Sequence, residues 1–121
     1  MMQDLKNKIV VVTGGVTGIG GAASLGFAAA GSKVMAQYFG GGPELAAIEK
    51  AGIHTLKLDL TEPSAPEKLI THALEKFGRI DVIVNNAGSL VARTPLTELN
   101  DDFIDKVFDL NCRQLIHCCR I

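Results

Sequence analysis

The segment Thr13-Gly14-Gly15-Val16-Thr17-Gly18-Ile19-Gly20 follows a β-branched run, Ile9-Val10-Val11-Val12, and leads into a small-residue stretch that starts at Gly18. Glycines in such a turn let the chain reverse tightly and bring backbone N–H groups up to an anion with no Cβ in the way. A helix starting behind the turn adds a partial charge of roughly +0.5 facing that anion. Phosphate binding is the chemistry this pattern suggests, at the place where an open α/β sheet presents it. The other glycine-rich phosphate loop does not apply, because no Gly-Lys-Ser/Thr follows. A glycine turn alone is a weak signal, since a purely structural turn has the same composition.

Two more groups strengthen it. Asp59-Leu60 closes the apolar run Ile53–Leu58, and Asn85-Asn86-Ala87-Gly88 closes the run Ile80–Val84. Ligands of open parallel sheets bind beyond the carboxyl ends of the strands, so all three groups converge on one edge. Other reactive residues point nowhere in particular. Cys112, Cys118 and Cys119 form no C-x-x-C pair, and His117 beside them points elsewhere on a helix, so no metal site is expected. The cysteines read as small apolar residues on a half-buried helix. His54 and His72 stand alone and carry no functional weight.

The elements that position these groups alternate along the chain. Strands are predicted at Ile9–Val12, Lys33–Tyr38, Ile53–Leu58 and Ile80–Val84. Helices are predicted at Gly18–Ala30, at Glu44–Ala51, from a Ser64 cap to Phe77, and from Asn100 onward without a break. Ser64 and Glu67 have the spacing of a capping box. Ala22, Ala23, Gly26 and Ala29 would let the first helix pack close to the sheet. The order β-α-β-α-β-α-β-α argues for an α/β fold with a parallel sheet.

Composition narrows the class further. The 121 residues fit one domain, and 47% hydrophobic with 21% charged residues is globular, not disordered. With 12 Lys+Arg against 13 Asp+Glu, no basic footprint for nucleic acid exists. No apolar run is long enough to span a membrane, and Met1–Lys6 lacks the apolar stretch of a secretion signal. A reducing, cytoplasmic location is expected.

Taken in order, Thr13-Gly14-x-x-x-Gly18-Ile19-Gly20, Asp59-Leu60, Phe77-Gly78-Arg79-Ile80-Asp81-Val82-Ile83-Val84-Asn85-Asn86-Ala87-Gly88 and Phe108-Asp109-Leu110-Asn111 resemble the N-terminal, cofactor-binding half of a short-chain dehydrogenase/reductase. The resemblance spans nearly the whole chain. It implies a Rossmann-type doubly wound parallel sheet, present here as a truncated half with strand order 3-2-1-4, and a bound nicotinamide dinucleotide. By the same resemblance Gly14, Thr17, Gly18, Ile19 and Gly20 hold the pyrophosphate, while Asp59 and Leu60 hold the adenine. Asn86, Ala87 and Gly88 line the adenosine ribose and nearby phosphate, and Asn85 and Asn86 tie central strands together. Asn111 matches a catalytic asparagine that supports a water-linked proton relay.

Cofactor choice turns on the end of the second strand, where a carboxylate would favour NAD and repel the 2′-phosphate of NADP. Here the slot is Gln37-Tyr38-Phe39, with Tyr38 at the ribose and no acid. That favours NADP over NAD, although Thr17 stands where many NADP-using relatives carry a basic residue. Gly40-Gly41-Gly42 could offer backbone N–H groups to a phosphate.

The resemblance also implies a tyrosine acid/base, a lysine four residues later and a serine on a fifth strand. The only tyrosine is Tyr38, and Gly42 stands four residues on. Ser89 follows the Asn-Asn-Ala-Gly turn and is not on a fifth strand. These 121 residues alone are therefore expected to be inactive, since general acid catalysis worth roughly 10²–10⁴-fold has no provider. Val82–Val84 is apolar on both faces, as in a central strand, and Leu115, Ile116 and Ile121 lack covering partners. The expectation is the cofactor-binding half of an NAD(P)-dependent oxidoreductase acting on a small carbonyl or secondary alcohol, completed by further chain or a homo-oligomer. The alternative is a non-catalytic nucleotide-binding or interaction module docking through the half-sheet edge. Leu90, Arg93 and Phe103, near the site mouth, are too few to specify a substrate.

Overall fold

The computed structural model describes residues 3–40, 42–88 and 94–120. Gly41, Ser89, Leu90, Arg93 and Ile121 lie outside the described residues. Four parallel strands, β1 (Ile9–Val12), β2 (Lys33–Tyr38), β3 (His54–Lys57) and β4 (Val82–Val84), form one sheet in the order β3-β2-β1-β4. All four residues of β1 are buried, as a β-branched run in a sheet covered on both faces must be. The two outer strands are shorter than the apolar runs predicted. Leu58 N still donates to Tyr38 O (2.9 Å) and Asp81 N to Ile9 O (2.9 Å), but pairing stops there because each outer strand has one neighbour.

Helices cover both faces. α1 (Gly18–Ala29) and α2 (Glu44–Lys50) pack Phe27, Ala28, Leu45 and Ile48 on Val10, Val12, Val34 and Ala36. α3 (Ala65–Phe77) and α5 (Gln114–Arg120) pack Leu69, Ala73 and Cys118 on Val11 and Met35. The alternation Val10/Val12 against Val11 is the two-residue period of a strand divided between two cores. This is the doubly wound α/β architecture expected. No helix among the described residues is long and apolar enough to cross a membrane.

Several local expectations need correction. In α1 the face against the sheet carries Gly20, Gly21 and Ser24, whereas Ala22, Gly26 and Ala29 are exposed and Ala23 is half-buried. Small residues surround this helix, so composition could not say which side packs. Close approach comes instead from Ser24, whose buried Oγ donates to Gly15 O (2.7 Å). At α3, Ser64 already has helical dihedrals (φ −87°, ψ −9°), so its hydroxyl makes no cap bond and the capping box with Glu67 is not formed. Ser64 O instead accepts from Lys68 N (3.0 Å).

The last helix is not continuous. α4 (Asp101–Phe108) gives way to a π-helical turn, Asp109–Arg113, in which Gln114 N donates to Asp109 O five residues back, and α5 follows. The start of α4 is as predicted: Asn100 Oδ1 accepts from Phe103 N (2.8 Å), with Asp101 and Asp102 in the positive first turn. Asn100→Ala should cost about 1 kcal/mol, read as a lowered urea midpoint with unchanged slope. Of the cysteines only Cys118 is buried, and Cys112 and Cys119 are exposed. No cluster of three metal-ligating side chains exists among the described residues.

One carboxylate fixes where β1 and β4 begin. Asp81 Oδ2 accepts from Ile9 N (2.7 Å) and from Arg79 Nε (3.1 Å). The Ile9 N–H, and after it the Arg79 guanidinium, hold this carboxyl below its ordinary range. A depressed carboxyl contributes stability that is complete above the unfolded value of about 3.9 and lost as pH falls through the folded one. Asp81→Asn is expected to flatten the acid limb of the stability curve, measured by urea unfolding between about pH 5 and pH 2.

Candidate functional site

At the carboxyl ends of β1, β2 and β4 an open groove of about 740 Å³ runs across the sheet edge. Its walls include Gly14, Thr17, Ile19, Tyr38, Asp59, Leu60, Asn86, Ala87 and Gly88, so the three motifs do converge on one surface. Gly18 and Gly20 are not wall residues; they shape the turn. Gly18 has φ +56°, a left-handed conformation with open space where a Cβ would project. Gly20 has no such room: a Cβ there would run into Gly14 O and Asn86 Nδ2.

Thr13, at the end of β1, holds the two loops together. Its buried hydroxyl donates to Val84 O (3.3 Å) and accepts from Asn86 N and Ala87 N, each at 3.0 Å. Asn86 Nδ2 donates to Gly14 O (3.1 Å), so the glycine turn and the Asn-Asn-Ala-Gly turn form one hydrogen-bonded body. Gln37 braces the same turn from β2. Its buried amide accepts from Gly14 N (2.8 Å) and donates to Leu58 O (2.7 Å). Behind the second turn, Gln114 Nε2 donates to Ala87 O (3.2 Å) and Leu110 O (3.1 Å).

Asp59 is fixed by its own loop, with Oδ1 accepting from Thr61 N (3.0 Å) and Thr61 Oγ1 (2.6 Å). Asn111 lies in the π-helical turn, and its Nδ2 donates to Val107 O (2.9 Å). It is not a groove-wall residue, yet its Oδ1 is what a Cβ on Gly88 would meet, so it stands directly beside that turn.

The groove also has walls that sequence inspection missed, Val16, Thr61, Lys106 and Leu110, while Gln37, Phe39 and Gly40 line it where the ribose slot and the glycine loop were expected. Lys106 and Leu110 are four residues apart, one face of a helix, which could have placed both beside Asn111. Gln37 was expected at the ribose slot, but both ends of its amide are engaged within the fold.

The residues present fit an elongated anionic ligand with apolar parts. The N–H groups of Gly18, Ile19 and Gly20 precede the first intrahelical bond, Gly21 N to Thr17 O (2.9 Å), and the Thr17 side chain caps none of them. N–H groups at a helix N-terminus are the kind of group to which an anion binds. Ile19, 84% exposed on the groove wall, offers apolar surface for a flat ring to cover.

The two histidines expected to stand alone do not. His54 Nε2 and His72 Nε2 are 3.2 Å apart, and neither residue lines the groove. Their 18-residue separation hid a contact made only when β3 meets α3.

Comparison with known proteins agrees with this geometry. Residues 8–121 match the family described as short chain dehydrogenase. A 3beta-hydroxysteroid dehydrogenase of Mediterraneibacter gnavus is 36% identical over 125 residues, covering 99% of this chain and 45% of that protein. An L-rhamnose 1-dehydrogenase (NAD(P)(+)) of Sphingomonas sp. is 35% identical over 116 residues, covering 91% of this chain and 45% of that protein. Among solved structures, NADH-dependent reductase A1-R′ complexed with NAD is similar at TM-score 0.89 and 32% identity, over 99% of this chain and 52% of that one. A short chain dehydrogenase from Burkholderia cenocepacia in complex with NADP is similar at TM-score 0.85 and 33% identity, over 96% of this chain and 49% of that one. The chain thus spans about half the length of the relatives it matches. With the family pattern running from β1 through α5 and the sheet, glycine turn and Asn-Asn-Ala-Gly turn in place, the chain belongs to the short-chain dehydrogenase family.

Proposed function

We propose that the chain supplies the cofactor-binding half of an NAD(P)-dependent oxidoreductase, with a carbonyl or secondary alcohol as substrate. The observation that carries this is the convergence of the glycine turn, Asp59-Leu60 and Asn86-Ala87-Gly88 on one groove. When bound, the dinucleotide supplies the hydride chemistry. The chain's own residues bind and orient it. Gly18, Ile19 and Gly20 present N–H groups to the pyrophosphate, with Gly14 and Thr17 forming the rest of that turn. Tyr38 stands at the adenosine ribose, Asp59 and Leu60 hold the adenine, and Asn86, Ala87 and Gly88 back the ribose and its phosphate. Asn111 serves the proton relay beside Gly88.

Within that reading NADP is favoured over NAD. The groove wall at Gln37, Tyr38, Phe39 and Gly40 contains no carboxylate to repel a 2′-phosphate, and Gln37 is engaged by Gly14 and Leu58. Isothermal titration with both dinucleotides tests this: NADP is expected to bind more tightly. Tighter NAD would overturn the preference, and no binding of either would overturn the proposed function.

The 121 residues alone are expected to show no turnover, because Tyr38 with Gly42 four positions on cannot supply the tyrosine–lysine pair. Completion by further chain or by a second copy is supported at β4. Its outer edge is unpaired among the described residues, and Asn85 Oδ1 at its end is buried with no partner among them. The same edge also suits an interaction module, the second reading. Defined association without dinucleotide binding would favour that reading.

A further inference from the structure

Away from the groove, His54 on β3 and His72 on α3 meet through Nε2 at 3.2 Å, with ring centroids 5.4 Å apart and planes 24° from parallel. Both rings are half-buried and reachable from the hollows flanking them. A centroid separation this large around so short an N–N contact means that the two nitrogens point at each other. Two N–H groups cannot face one another across that gap, so at most one proton sits in it. Burial, and after it the neighbouring Lys76 and His72, hold His54 below its ordinary titration range.

The spacing is that of two ligands on one ion. Nitrogens bound side by side at about 2.0–2.1 Å to a tetrahedral or octahedral first-row ion stand about 2.9–3.4 Å apart. A tilt of each ring by roughly 40° brings both lone pairs onto a shared ion without separating the nitrogens. Around the pair, Glu49, Lys33 and Lys76 line the hollow beside His54, and Glu67, Glu75 and Lys68 line the one beside His72. Charges of both signs are mixed there, so imidazole chemistry decides selectivity. Imidazole suits zinc, nickel and copper, whereas calcium and magnesium require oxygen cages.

We propose that His54 and His72 form a two-imidazole site for a divalent transition ion of the zinc class, fastening the edge strand β3 to α3. The site is independent of the dinucleotide groove, and neither proposal needs the other.

Zinc titration of the full chain by calorimetry at neutral pH tests it, with His54→Gln, His72→Gln and a Cys112→Ser/Cys119→Ser double variant alongside. Wild type and the cysteine variant should bind zinc alike, and each glutamine variant should lose at least about tenfold in affinity. No binding by wild type, or binding unchanged in both glutamine variants, would overturn the assignment. A second measurement needs no variant. On adding nickel to wild type, the ring proton signals of His54 and His72 should broaden together and before that of His117. Broadening of His117 alone would equally overturn the site.

Discussion

Replacing Gly20 with alanine is expected to lower dinucleotide affinity more than about 100-fold, a change of roughly 2.7 kcal/mol in binding. The added Cβ has nowhere to go, since Gly14 O and Asn86 Nδ2 already occupy its place. Either the first turn of α1 retreats, taking the N–H groups of Gly18 and Ile19 from the anion, or the bond between Asn86 Nδ2 and Gly14 O opens. Both routes damage the groove, and overpacking of this kind also costs about 1–3 kcal/mol of folding stability. Calorimetric titration read beside a thermal melt separates the two losses. Gly26→Ala is the control, because a Cβ at Gly26 meets nothing within 4 Å and the helix gains roughly 1 kcal/mol in propensity.

Thr13→Val is expected to be the most damaging change that preserves side-chain shape. Valine fills the buried space of Thr13 but removes the acceptor for Ala87 N and for one bond of Asn86 N, and the donor to Val84 O. Asn86 N retains Val84 O at 3.1 Å, so Ala87 N is the group left without a partner. Leaving this half-buried donor without its partner and losing a hydroxyl bond together cost about 2 kcal/mol. Thr13→Ser keeps the hydroxyl and should restore most of that stability, despite the missing methyl. Urea unfolding of both variants checks this, and equal destabilisation by valine and serine would mean that the methyl, not the hydroxyl, matters.

How much of this was legible in the sequence depends on the range of the interaction. The β-branched run Ile9–Val12, the glycine turn after it and the Asn100 cap are local patterns, and they appear where their spacing puts them. The strand order and the convergence of three motifs followed from the alternation of elements together with the family resemblance. The Thr13 hub was not legible, because its partners lie 71 to 74 residues away. Gln37 fell within the ribose slot, and nothing in its neighbourhood reveals that Gly14 and Leu58 will claim its amide. The face of α1 was misjudged where Ala22, Gly26 and Ala29 gave no contrast in polarity to orient the helix. Ser64 had the right residue type for a cap and the wrong backbone angles, which a three-residue spacing cannot show. The π-helical turn at Asn111 likewise leaves no mark in a pattern of apolar residues.

The central claim is that one groove, built from the turn at Gly14–Gly20, the loop at Asp59-Leu60 and the turn at Asn86–Gly88, binds a nicotinamide dinucleotide. Titrating isotopically labelled chain with NADP, then NAD, while following each backbone amide by NMR tests it most directly. Shifts should concentrate at Gly18, Ile19, Gly20, Leu60, Thr61, Ala87 and Gly88, leaving His54 and His72 unmoved. Saturating dinucleotide that leaves those groove amides in place, or moves a different surface, would contradict it.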